Sequence, residues 1–89
     1  MEIKPIIIRT MGTINHALAI ADNEYLTWKD KYGLIFGEYL ACEINADLRG
    51  LQLSEWYPDP DTTYEADVCA YCNYLRDRLV KLNELRKIL

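Results

Sequence analysis

The sequence predicts an all-α protein: an antiparallel hairpin of two long helices, at about 13–49 and 63–88, preceded by a short extended arm. Three observations support this prediction. Apolar residues recur with alternating spacings of four and three from Ile14 to Ala46. A second helical period follows a connection that contains prolines. A lone hairpin cannot cover its own apolar faces, so two copies are expected to pair as a four-helix bundle.

The first segment, 1–12, is predicted to be an extended apolar arm that ends at Gly12. Four isoleucines flank Pro5 in this segment: Ile3, Ile6, Ile7 and Ile8. Consecutive β-branched residues favour extended backbone, and the proline excludes a central strand. The arm is therefore expected to lie over part of the apolar face of the hairpin.

The first long helix is predicted from the unbroken apolar period. The residues of this seam are Ile14, Leu18, Ala21, Tyr25, Trp28, Tyr32, Ile35, Tyr39, Cys42 and Ala46. Thr13 is the expected N-cap and Gly50 the expected stop. A continuous helix of this length extends roughly 54 Å at 1.5 Å per residue. The alternative is a break at Gly33, which would favour a monomeric three-helix bundle.

The segment 50–61 is predicted to be a connecting loop. Two prolines exclude a regular helix there: Pro58 and Pro60. Thr62, followed by Glu65 three residues later, has the spacing of a capping box. Tyrosine, valine and leucine then recur at helical spacing to the end of the chain. The second helix is therefore predicted for about 63–88.

Composition limits the classes of partner and the compartment. A chain of 89 residues forms one domain, and its net charge of −4 disfavours binding to nucleic acid or to an anionic membrane. No run of residues is long and apolar enough to span a membrane. Three cysteines, an odd number, argue against a secreted disulfide framework. We expect a cytoplasmic protein, in the cytoplasm of the host cell if a phage encodes it.

The stretch CAYC, with Cys69 and Cys72, is the first place to look for chemistry. The cysteine and histidine residues of the chain, which are the usual ligands of structural zinc, are His16, Cys42, Cys69 and Cys72. In the long-helix prediction, His16 and Cys42 lie roughly 39 Å apart, so a four-ligand zinc site is not expected. Cys69 also lies beyond the first helical turn, where a thiol is not activated. Both thiols are expected to pack as small apolar residues, with no metal and no cofactor.

No set of catalytic residues is recognisable in the sequence. The only histidine, His16, has no serine, cysteine or carboxylate motif around it. The four glycines are scattered, so no phosphate-binding loop is present. We therefore expect a protein that is not an enzyme.

An acidic stretch that carries aromatic residues is the main candidate for function. From Glu55 to Asp67 the chain has five acids and no base. The predicted partner-binding residues are Glu55, Trp56, Tyr57, Asp59, Asp61 and Glu65. Charge would steer a basic protein partner and the aromatic rings would anchor it. The interpretation is a binding protein of the inhibitor, antitoxin, immunity or phage anti-defence type.

The predicted interface of the homodimer consists of four aromatic residues of the seam: Tyr25, Trp28, Tyr32 and Tyr39.

Two alternative functions stay open. A basic half of the second helix predicts a site for a small anion such as a nucleotide, formed by Arg76, Arg78 and Tyr74. The first alternative function is thus an oligomeric binder of an anionic ligand. The second is a structural assembly subunit.

Overall fold

Four α-helices, rather than two, make up the computed structural model, which describes residues 2–89. They are α1 (Ile3–Ala21), α2 (Trp28–Tyr32), α3 (Leu40–Gly50) and α4 (Tyr64–Ile88), and α2 continues into a π-helical turn (Gly33–Gly37). Helix, including the π-helical turn, accounts for 74% of the described residues, which contain no strand. The predicted all-α class is confirmed, whereas the prediction of two long helices is wrong.

The predicted extended arm is wrong, because α1 begins at Ile3 and continues without interruption to Ala21. Pro5 lies in the first turn, where a missing N–H removes no intrahelical hydrogen bond. The buried residues of α1 recur at helical spacing: Ile7, Thr10, Ile14, Ala17 and Ala21. Burial of this stripe outweighs the extended preference of β-branched residues. Met1, the first residue of the predicted arm, lies outside the described residues.

The predicted first long helix is interrupted after Ala21. Asn23 Oδ1 accepts a hydrogen bond from the backbone N of Tyr25 at 2.8 Å. Thr27 Oγ1 accepts one from the backbone N of Asp30 at 3.1 Å and so caps α2. Such local side-chain bonds give the backbone an alternative to helix, and this explains why an unbroken apolar period does not produce an unbroken helix.

A second interruption lies at Tyr39, not at Gly33. The chain passes through Gly33 in helical conformation and continues into the π-helical turn. Tyr39 then adopts a left-handed backbone with φ of 66° before α3 begins. A non-glycine residue in this region is uncommon, and nothing in the sequence marks it.

Helix α3 ends in a Schellman motif. The backbone N of Leu53 donates to Leu48 O at 2.8 Å, and the backbone N of Gln52 donates to Arg49 O at 3.0 Å. Gln52 occupies the left-handed position, with φ of 60°. Gly50, the expected stop, is the last helical residue and has no positive φ.

The predicted second helix is confirmed as α4. The predicted capping box of Thr62 and Glu65 is wrong, because Thr63 is the N-cap and its side chain accepts from the backbone N of Ala66 at 3.1 Å. Thr62 instead donates its hydroxyl to Asp67 at 2.8 Å. The reason is that Asp67 is buried and requires hydrogen-bond donors.

The four helices share one core, since α4 packs against α1 and α2, and α3 packs against α1. The buried apolar residues are Ile7, Ile14, Ala17, Ala21, Ile35, Ala41, Ile44, Leu48, Val68, Tyr71, Cys72, Leu75 and Leu82. The longest dimension of the Cα trace is 38 Å, which is shorter than the predicted first helix alone. The described residues include no helix that is both long and apolar enough to cross a bilayer. The dimeric bundle stays a prediction.

Candidate functional site

The loop between α3 and α4, residues 51–63 (the α3–α4 loop), carries most of the predicted partner-binding residues. Three polar side chains from the helices hold it: Asn45, Asp67 and Arg78. They are only 5%, 4% and 7% exposed. A buried polar group destabilises a protein unless it is hydrogen-bonded, and each of these three bonds to the loop.

Asn45 on α3 holds the middle of the loop at Trp56. Its Nδ2 donates to Trp56 O at 3.0 Å, and its Oδ1 accepts from Trp56 N at 3.3 Å. The indole packs with ring centroids 5.7 Å from Phe36 and 5.0 Å from Tyr71. Trp56, predicted as an anchor for a partner, therefore lies half-buried at the edge of the core.

Asp67 in the first turn of α4 holds the acidic end of the loop. Its Oδ1 accepts from the backbone N of Asp59 at 3.1 Å and from Thr62 Oγ1 at 2.8 Å. Asp59 Oδ1 in turn accepts from the backbone N of Asp61 at 2.9 Å. These bonds fix the conformation of a turn. Both acidic residues of that turn, Asp59 and Asp61, are exposed.

The start of the loop is held at Ser54. The Tyr74 hydroxyl donates to Ser54 O, and Arg78 Nη2 donates to Ser54 Oγ. The guanidinium carbon of Arg78 lies 5.0 Å from the centroid of the Tyr74 ring. Arg76, by contrast, lies with Nη2 3.6 Å from Asp22 Oδ1. The structure thus brings Arg78 and Tyr74 together around the loop and does not bring Arg76 to them.

Glu55 is neutralised within the chain. Its Oε1 accepts from Arg49 Nε at 2.6 Å and its Oε2 from the Tyr57 hydroxyl at 2.9 Å. The hydrogen bond from Tyr57, followed by that from Arg49, lowers the pKa of Glu55. Asp59, Asp61 and Glu65 differ, because within residues 2–89 none of them forms an ion pair.

The surface that remains is acidic and aromatic. Asp59, Asp61 and Glu65 are exposed, as are the rings of Tyr57 and Tyr64. The sequence interpretation did not assign Tyr64 to this surface, although it directly precedes Glu65. It also missed the supporting role of Asn45. Asn45 is the one polar residue among the buried residues of α3 (Ala41, Ile44, Asn45 and Leu48).

The four residues of the predicted dimer interface do not share one helix. Tyr25 and Tyr39 are 90% and 74% exposed and lie in the two interruptions. Trp28 begins α2 and is exposed. Tyr32 ends α2, and its ring lies 4.8 Å from Phe36 and 4.9 Å from Tyr64. The continuous aromatic seam is therefore divided into separate surfaces.

The three cysteines are free thiols, and burial raises the pKa of the Cys72 thiol. Within residues 2–89, no group of three or more His, Cys, Asp and Glu side chains is arranged to hold a metal ion. No protein-family model, curated protein or solved structure matches this chain.

Proposed function

We propose that the protein is a non-enzymatic binding protein that places its α3–α4 loop against a basic surface of a protein partner. A protein of this kind acts by occupying that surface, as inhibitors, antitoxins, immunity proteins and phage anti-defence proteins do. The observation that supports the proposal is that three buried polar side chains of the helices form hydrogen bonds with the loop, at Ser54, Trp56 and Asp59.

The distribution of buried polar groups supports a specified loop conformation. Within residues 2–89, five polar or charged side chains are buried, and three of them, Asn45, Asp67 and Arg78, bond to the α3–α4 loop. Well-packed apolar residues at these positions would stabilise the core at least as well as the buried polar groups do. The polar groups instead give the loop one conformation. A surface fixed before binding loses less conformational entropy on association, which increases affinity.

The charge of the loop identifies the class of partner. Asp59, Asp61 and Glu65 are exposed carboxylates without a basic neighbour in an ion pair, within the described chain. Grouped charges of one sign attract an oppositely charged surface and accelerate encounter. The rings of Tyr57 and Tyr64 beside them supply apolar area with a polar tip, as protein interfaces do. The partner is therefore a protein with a basic contact surface.

The test compares two variants of equal charge. The loop variant carries Asp59→Asn, Asp61→Asn and Glu65→Gln. The control carries Glu24→Gln, Glu38→Gln and Glu84→Gln, three exposed residues elsewhere. Both are immobilised beside the wild type and exposed to lysate of the source cell. Each retained protein is then purified and titrated against all three forms at two salt concentrations.

The proposal predicts a basic protein that binds the wild type and the control variant alike. Its affinity for the loop variant should fall by about tenfold or more, and binding should weaken as salt rises. Equal affinity for the loop variant and the control variant would show that the loop is not the contact surface.

Self-association is a second proposal, supported by the exposed rings of Tyr25 and Tyr39. Sedimentation velocity over a wide concentration range tests it, with Tyr25→Ser plus Tyr39→Ser as the variant and Tyr57→Ser as the control. A dimer that dissociates only in the double variant supports the proposal. A monomer at all concentrations for the wild type rejects it. A nucleotide site has less support, since Arg78 and Tyr74 already bond to Ser54.

A further inference from the structure

An open groove of about 550 Å³ lies along the outer face of α2 and the π-helical turn (the α2 groove). Within the same segment Lys31 and Ile35 are buried, and α2 packs against α4. The groove is therefore the solvent side of a segment whose other side belongs to the core. The lining includes six exposed residues: Lys29, Asp30, Gly33, Leu34, Gly37 and Glu38.

The α2 groove has both a protruding apolar side chain and a gap that would receive one. Leu34 is 38% exposed. Gly33 directly precedes it and Gly37 follows three residues later, and a Cβ added at either glycine would meet no other atom within 4 Å. Between facing helices, a side chain of one packs into a hole formed by four residues of the other. Leu34 of one copy of the chain therefore fits the gap beside Gly33 and Gly37 of a second copy.

The charges along the α2 groove are arranged so that the surface complements itself. Lys29 and Glu38 are exposed and nine residues apart, roughly 13 Å at 1.5 Å per residue. Neither of them forms an ion pair within residues 2–89. A two-fold axis perpendicular to the middle of the segment makes two copies antiparallel, so Lys29 of each copy faces Glu38 of the other. Asp30 then lies opposite Gly37, and no like charges meet.

We propose that two copies of this chain pair through their α2 grooves, as antiparallel segments related by a two-fold axis. A two-fold interface uses the same patch on both copies, so the patch must complement itself. The α2 groove carries both halves of each contact, namely the leucine with its gap and the lysine with its glutamate. The exposed rings of Tyr25 and Tyr39 lie just outside this segment. The inference rests on the proposed self-association and specifies its surface, and it is independent of the α3–α4 loop.

The pairing should be weak and should depend on concentration. An interface confined to one short segment of each copy lies at the lower end of the range for specific complexes, which bury about 1,200–2,000 Å². Exposed ion pairs add little affinity, whereas like charges placed face to face disfavour a wrong arrangement. The packing of Leu34 therefore supplies the attraction, and the charges of Lys29 and Glu38 fix the orientation. We expect a dissociation constant on the order of 10–100 μM.

Reversal of the two charges tests the arrangement, with sedimentation velocity as the measurement. In Lys29→Glu, and separately in Glu38→Lys, like charges meet at both contacts, so the dissociation constant of the dimer should rise by about tenfold or more. An equimolar mixture of these two variants restores opposite charges at both contacts and should form a heterodimer with an affinity close to that of the wild type. The controls Lys87→Glu and Glu84→Lys make the same charge changes at exposed positions of α4 and should pair as the wild type does.

Each outcome bears on a different part of the proposal. Weakened pairing of both single variants, with recovery in their mixture, supports the α2 groove. A wild type that stays monomeric up to about 1 mM rejects the groove and the proposed self-association together. A wild-type dimer that neither charge reversal weakens rejects the groove alone and leaves self-association through Tyr25 and Tyr39. Weakened single variants without recovery in the mixture would overturn the antiparallel two-fold arrangement.

Discussion

The side-chain amide of Asn45 forms two hydrogen bonds with the backbone of Trp56, one through Nδ2 at 3.0 Å and one through Oδ1 at 3.3 Å. The amide thus satisfies both backbone groups of a half-buried loop residue. Asn45→Ala removes both bonds and leaves those groups without partners, so we expect a loss of about 2 kcal/mol in the free energy of unfolding. Urea unfolding measures this loss. The exposed Asn15→Ala is the control, and an equal change in both variants would contradict the assigned role.

Tyr71 combines a well-packed ring with a hydroxyl that has no partner. The residue is fully buried, and its OH forms no hydrogen bond within residues 2–89. Its ring lies 5.0 Å from the rings of both Phe36 and Trp56. Tyr71→Phe keeps the ring and removes the unsatisfied group, so thermal unfolding should show a gain of about 1 kcal/mol. Tyr25→Phe, on an exposed ring, should change nothing, and destabilisation by Tyr71→Phe would show that the hydroxyl has a partner.

Glu55 gives the protein a predictable response to acid. Its folded pKa is lowered by the bonds from Tyr57 and Arg49, so as pH falls the unfolded chain takes up its proton first. The stabilisation is complete above the ordinary pKa of glutamate and is lost as pH falls through the folded value. Urea unfolding between pH 6 and pH 2 should therefore show a smaller loss of stability for Glu55→Gln than for wild type. Parallel curves for the two proteins would exclude this contribution, and Glu84→Gln controls for the removal of one carboxylate.

At the end of α3, the glycine lies two residues before the position whose left-handed backbone favours glycine. Gly50 is helical, and a Cβ added there would have open space. Gln52 has the left-handed backbone that glycine adopts without strain. Gly50→Ala and Gln52→Gly should each raise the free energy of unfolding by about 1 kcal/mol. Gln52→Ala keeps the strain and should give no such gain. A loss of stability in Gln52→Gly would mean that the glutamine side chain makes a stabilising contact.

The class of the fold and the position of α4 could be predicted because their signals are local. The α4 period and a threonine cap lie close together in the sequence, and the cap was misplaced by one residue only. The alternating spacing from Ile14 to Ala46 was misleading, because it marks neither where the backbone turns nor which residues become buried. Of the ten residues in that seam, only Ile14, Ala21 and Ile35 are buried. Asn23 and Thr27 each offer a side-chain bond that ends or restarts a helix. Tyr39 leaves no comparable signal.

The acidic loop could be found from composition, but its support could not. Asn45 and Trp56 are 11 residues apart, and Ser54 and Arg78 are 24 apart. Neither separation follows a helical or turn period, so these pairs become visible only once the helices are packed. The same packing turns the indole of Trp56 towards Phe36 and Tyr71, whereas the sequence assigned it to a partner.

Hydrogen exchange at single amides of the α3–α4 loop tests most directly whether buried side chains hold the loop in one conformation. The amides of Trp56 and Asp59 donate to Asn45 and Asp67. Both should exchange at least about tenfold more slowly than the amide of Tyr57, which donates no hydrogen bond within the described residues. Asn45→Ala should abolish the protection at Trp56 while amides in the middle of α4 keep theirs. Exchange at Trp56 and Asp59 as fast as at Tyr57 in the wild type would contradict a preformed docking loop.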